Sequence, residues 1–152
     1  MTEHIEKAKK HTATLLEMLG FDDAGLIAKT REDVIYINIQ TDSPALLIGR
    51  GGEGLEALQH LVRTLLTVDN AGEHRTVVVD IEGYREKKAE YVKKLARDKA
   101  FQVLATGIEE YLDPMSSFER RIVHMVCSNI ADVETESVGE GRERKVRIKP
   151  KK

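Results

Sequence analysis

The apolar positions of this chain change period several times. Ile5, Ala8, Thr12, Leu15, Leu16 and Leu19 fall on one helical face, and Gly20 follows as a stop signal. "GLIAKT" and "VIYINIQ" are rich in β-branched residues and flank the polar triplet Arg31-Glu32-Asp33, which predicts a hairpin with Ile35, Ile37 and Ile39 on one face. Ser43 and Pro44 together read as a helix start, so Ala45 to Ile48 are expected as a helical turn. Beyond a glycine cluster, Leu55, Leu58, Leu61, Val62, Leu65 and Leu66 mark another helix, and "HRTVVVDIEG" reads as a strand with Val77, Val79 and Ile81 together.

The second half opens on a long helical pattern from Tyr84 to about Leu104. Tyr84, Tyr91, Val92, Leu95, Ala96 and Val103 form its apolar side, and Glu90–Lys94 is expected as an i,i+4 ion pair. Lys87, Lys93, Lys94 and Arg97 read first as a solvated face and second as a nucleic-acid footprint. "IEEYLDPM" holds a short strand broken by Asp113-Pro114. Ser116 and Glu119 have the spacing of a capping box ahead of a helix through Ile122, Val123, Val126 and Ile130. "VETESV" and "KVRIKP" are two strands joined by a Gly-rich turn.

Composition narrows the class. The chain has 152 residues, 41% of them hydrophobic, and no apolar run approaches the ~18 residues of a membrane span, so no membrane insertion is expected. One cysteine, Cys127, fits a reducing, cytoplasmic setting, and the histidines show no metal-ligand spacing, so no metal or cofactor is implied. Net charge is −2, but residues 1–83 hold 8 Lys+Arg against 14 Asp+Glu, and residues 84–152 hold 16 against 12. The last eleven residues carry seven Lys+Arg and one Glu, a locally basic surface compatible with a polyanion.

"LLIGRGGEGLEALQHLV" matches G-x-G-x-x-G, the signature of a dinucleotide loop. That device needs a strand entering the loop and an acidic residue ~20 positions on. Here a helix is expected before the loop, and the acidic candidate, Asp80, lies 26 residues after Gly54. Helix, G-x-x-G, helix is a different arrangement, in which backbone N–H groups and a helix start face a phosphate. His124 and Cys127, three apart on a helix, superficially suggest a nucleophile pair. No acidic group is placed to orient the histidine, and Cys127 sits among apolar residues, so no enzymatic activity is expected.

With Ile48 before Gly49-Arg50-Gly51-Gly52, the first half resembles a KH domain of type II topology: helix, strand, strand, helix, loop, helix, strand. "GYRE", "DPM", "ERRIVH", "VETESVGEG" and "RKVRI" make the second half similar to the R-three-H (Arg-x-x-x-His) region of the bacterial Jag family (SpoIIIJ-associated, KhpB or EloR). The resemblance covers roughly residues 20–150. It implies an α+β chain with a KH domain over 1–83 and an R-three-H domain over 84–152, the connecting helix at about 84–104 included. Many members carry a further small N-terminal domain, which this chain is expected to lack. Gly51 stands where relatives often have a basic or polar residue, and Gly54 where they often have threonine, so the next helix start loses a hydroxyl.

The implied function is binding of single-stranded RNA, with single-stranded DNA as the alternative strand. Gly49, Arg50, Gly51 and Gly52 would hold the backbone, with bases over an apolar groove at Ile48. Arg120, Arg121 and His124 would engage a second stretch, extended by Arg142, Arg144 and Lys145, and the long helix would tether the two sites. The resemblance also implies partnership with another small KH protein. The rival reading is a protein-interaction adaptor in cell-division or envelope control, using the acidic first half as its protein-facing surface.

Overall fold

The computed structural model describes residues 2–69 and 76–152. The chain divides into two units, Met1–Arg85 and Glu86–Lys152, each with its own core. His74 and Arg75, expected at the start of a strand, lie outside the described residues.

In the first unit, helix α1 (Thr2–Met18) precedes strands β1 (Gly25–Arg31) and β2 (Val34–Gln40). The strands pair antiparallel from Gly25–Gln40 to Arg31–Val34. Arg31 therefore belongs to the strand rather than the turn. The turn is Glu32-Asp33 alone, at φ 49° and 63°, the left-handed pair that a two-residue hairpin with matching twist requires. Helix α2 (Pro44–Ile48), a 3-10 turn (Arg50–Gly52) and helix α3 (Glu53–Asp69) then lead to β3 (Thr76–Ile81). β3 lies parallel to β2, giving the order β1-β2-β3. A parallel neighbour needs a crossover of this length, and the glycine loop lies inside it.

One face of the sheet supplies Ile35, Ile37, Ile39, Val77, Val79 and Ile81 to the core. Ala8 and Leu16 of α1 and Leu55, Leu58, Val62 and Leu66 of α3 cover them. Leu61, expected on that apolar face, is 45% exposed, because the buried stripe of α3 is only one residue wide at each turn. Leu19 lies beyond the end of α1 and is also exposed.

In the second unit, helix α4 (Tyr84–Thr106, its first two residues in the first unit) is followed by β4 (Glu110–Tyr111), α5 (Ser117–Ser128), β5 (Val133–Val138), a 3-10 turn (Gly141–Glu143) and β6 (Lys145–Pro150). β6 is central and antiparallel to both neighbours, in the order β4-β6-β5. Val92, Ala96, Ala100 and Val103 of α4 pack with Ile122, Val123 and Cys127 of α5 and with Val133, Val146 and Ile148 of the sheet. Tyr91 departs from the expected apolar side and is 61% exposed, with Lys88 Nζ over its ring. Glu90 pairs with Lys93 at 2.7 Å, one position short of the expected Lys94.

The capping box forms as its spacing requires. Ser116 N–H donates to Glu119 Oε2 at 2.7 Å, and Glu119 N–H donates to Ser116 Oγ at 3.3 Å. Lys88 Nζ reaches the other oxygen of Glu119 at 3.1 Å, so this buried carboxylate is satisfied on both sides.

Candidate nucleic-acid interface

The chain enters the glycine loop from a helix, not from a strand, which removes the geometry a dinucleotide loop needs. Pro44 occupies the first helical turn as expected, but the Ser43 side chain makes no capping bond. Its N–H instead donates to Thr41 Oγ1 at 3.3 Å.

Gly49 ends α2 at φ 72°, ψ 180°, a region essentially reserved for glycine. Its N–H donates to the Ala45 carbonyl at 3.1 Å. Gly51 is left-handed at φ 60°, exposed, and has open space where a side chain would stand. Gly52 is buried at φ 85°, and a Cβ there would lie 3.2 Å from the Tyr84 ring. Arg50 is exposed, and Ile48 is partly buried against the core.

Gly54 has a role that the sequence did not reveal. A Cβ at this position would stand 2.4 Å from the Leu47 carbonyl oxygen and 2.8 Å from that of Ile48. The hydroxyl lost relative to threonine is thus secondary. The bare Cα lets the start of α3 lie against the last carbonyls of α2.

Two further groups support the loop. Tyr84, expected only as an apolar helix position, places its ring against Gly52. Arg85 donates through Nε to the Val79 carbonyl at 3.2 Å and through its terminal nitrogens to Gln59 and Glu56 at 3.0 and 2.8 Å. Gln59 Oε1 also accepts from Val79 N–H at 3.1 Å, so β3 and the first turns of α3 are tied together behind the loop. "GYRE" is therefore a support for the glycine turn. α3 starts directly after the loop, where the first N–H groups of a helix lack partners within it; of these amides Gly52 N–H donates to the Gly49 carbonyl at 3.3 Å and Glu53 N–H to that of Arg50.

In the second unit Arg120 and His124 lie one turn apart on α5, and each is engaged locally. An Arg120 terminal nitrogen donates to the Met115 carbonyl at 2.8 Å. Met115 N–H donates in turn to the Arg144 carbonyl at 3.1 Å, so one residue joins the start of α5 to the β5–β6 connection. The His124 ring nitrogens meet Thr135 Oγ1 at 2.6 Å and Ser137 Oγ at 2.8 Å. Neither hydroxyl stood out in the sequence, although Thr135 and Ser137 alternate on "VETESV" as residues sharing one strand face do. Burial, reinforced by the Arg120 charge, holds the His124 pKa below its ordinary value and favours the neutral ring. A neutral imidazole has one donor and one acceptor, and the two hydroxyls answer both.

Arg121 is exposed and has neither hydrogen bond nor ion pair among the described residues. Arg142, within the 3-10 turn, and Arg144, directly after it, are exposed; Lys145 begins β6 with its Nζ 5.5 Å from the Tyr111 ring centre. Cys127 is buried, and burial pushes its thiol up to about 11. With His124 engaged by β5 and the thiol held protonated in the core, the two do not form a nucleophile pair. Among the described residues no helix is long and apolar enough to cross a membrane.

The R-three-H domain family matches residues 90–150. The chain is 35% identical over 150 residues to the RNA-binding protein KhpB of Bacillus subtilis, covering 97% of this chain and 71% of that protein. It is 40% identical over 110 residues to the RNA-binding protein KhpB of Lactiplantibacillus plantarum, covering 72% of this chain and 34% of the relative. It is 36% identical over 109 residues to the protein of the same name from Clostridium symbiosum, covering 72% of this chain and 49% of that relative's length. The chain thus spans between about a third and about seven tenths of the length of these relatives. A two-unit α+β chain, with an Arg-x-x-x-His helix in its second unit and relatives of this identity, belongs to the KhpB (Jag) family.

Proposed function

We propose that the chain binds single-stranded nucleic acid without catalysis, with RNA the preferred strand, through a type II KH unit and an R-three-H unit. The observation that carries this reading is the notch between α2 and α3. There Gly49, Gly51 and Gly52 adopt positive φ, Gly54 has no room for a side chain, and Arg50 stands exposed. Such a notch lets a sugar-phosphate backbone approach the amides, and a KH loop of this kind clamps about four nucleotides. Glu56, at the first turn of α3, is held by Arg85 and is not a bare charge against that phosphate. Ile48, packed on the core beside the loop, provides an apolar floor for bases.

In the second unit Arg120 and Arg121 take phosphate, and Arg144, linked to Arg120 through Met115, extends the basic edge with Arg142 and Lys145. His124 acts mainly by holding β5 against α5. The names of the relatives, RNA-binding protein KhpB, favour RNA over single-stranded DNA. A cytoplasmic site of action fits a single buried thiol.

Titration of labelled single-stranded RNA at several salt concentrations tests the reading. Arg120→Ala should weaken binding and reduce the salt slope by about one unit. A slope identical to that of the unsubstituted chain would remove Arg120 from the interface.

A further inference from the structure

We propose that the outer flank of α5, Phe118 with Met125, is a base-stacking platform, so that a single strand crosses α5 with its phosphates on Arg120 and Arg121 and its bases on this apolar edge. The inference rests on the nucleic-acid reading above and assigns the base contacts that reading leaves open.

The helix sequence is SFERRIVHMVCS, and its core side is Glu119, Ile122, Val123 and Cys127. The opposite side presents Arg121, with Phe118 three residues before it and Met125 four residues after, a spacing that places all three in one continuous row. Phe118 is 51% exposed and Met125 54% exposed, and neither belongs to the core cluster of its unit. On the other flank of the helix Arg120 donates to the Met115 carbonyl and His124 meets Thr135 and Ser137 of β5.

Charge selects the occupant. The only carboxylate of α5 is Glu119, which is buried, bonded to Ser116 N–H and paired with Lys88. The outer row therefore carries Arg121, with half-buried Arg120 on the far flank, and no acid of its own helix, which suits a polyanion whose strand crosses the helix. Bases stack on aromatic faces whatever their identity, and polarizable thioethers add adaptable contacts. Phe118 offers no side-chain donor or acceptor to a base edge and Met125 only a weak sulfur acceptor, so the platform is expected to tolerate any base. His124, with both ring nitrogens bonded to β5, does not supply such reading either.

The test uses the full chain with single-stranded RNA carrying 4-thiouridine, crosslinked by light and mapped by peptide mass spectrometry. Adducts on Phe118 or Met125 are expected. In parallel, Phe118→Ala should weaken binding by roughly 5-fold to 150-fold with an unchanged salt slope, since no charge is removed. Phe118→Tyr, which keeps the ring, should restore it. Absence of adducts between residues 118 and 125 overturns the proposal and assigns the apolar edge to a protein contact. A shallower slope in Phe118→Ala also overturns it, because the substitution would then act through the arginines. A chain that binds RNA, with the Arg120 effect intact but no adduct here, fails this inference alone. A chain that binds no single strand at all fails both.

Discussion

Gly54→Ala adds one methyl group at the narrowest point of the first unit. The new carbon would sit 2.4 Å from the Leu47 oxygen and 2.8 Å from the Ile48 oxygen, whereas carbon–oxygen contacts settle near ~3.3 Å or beyond. The start of α3 must retreat from α2 by about 1 Å, or the last turn of α2 must fray. Overfilling a packed site costs about 1–3 kcal/mol. Gly54 lies within α3 and outside the positive-φ positions, so alanine also gains up to about 1 kcal/mol in helix propensity. The net loss of stability is expected between about 0 and 3 kcal/mol, the difference of those two terms. Binding should suffer more than stability, because the displaced atoms frame the notch. Anisotropy with labelled single-stranded RNA should show at least a ~10-fold weaker complex, equivalent to about 1.4 kcal/mol. Circular dichroism should retain its helical signal. Wild-type affinity in Gly54→Ala, with unchanged or raised thermal stability, would refute the claim that a missing side chain sets the α2–α3 approach.

The depressed His124 pKa means that folding favours the neutral ring. Its contribution to stability is present above the ordinary histidine value of ~6.5 and is lost as pH falls below it. Urea unfolding between pH 7.5 and pH 5 should show a smaller pH loss in His124→Asn than in the unsubstituted chain, and equal losses would contradict the burial argument. Cys127, with its thiol pushed up to about 11, should react with a disulfide reagent at pH 7.5 far more slowly in the native chain than in guanidinium. Equal rates would place the thiol outside the core.

Elements whose signals are local were legible in the sequence. The Ser116–Glu119 capping box forms with both bonds, and the isoleucines of β2 and the alternating apolar residues of β3 face the core as their period requires. Ser43-Pro44 marks a helix start although the serine makes no cap, because proline alone supplies a suitable φ and needs no donor. The supports of the candidate sites were not legible, because they join residues far apart in the chain. Gly52 meets Tyr84, Val79 meets Gln59 and Arg85, and His124 meets Thr135 and Ser137. Periodicity reports which residues share a face, not what that face touches. Tyr91 and Leu61 show the same limit: both fit an apolar spacing, yet both are exposed.

The most direct test of the account is the affinity of the Arg50→Asp/Gly51→Asp double substitution for single-stranded RNA. Position 51 is left-handed with open space around it, a conformation that aspartate tolerates better than most residues, so the fold should survive. Two carboxylates at the notch should then weaken binding strongly, and most at low salt, where screening is least. An unchanged affinity in a folded variant would contradict the claim that a polynucleotide strand rests on the loop between α2 and α3.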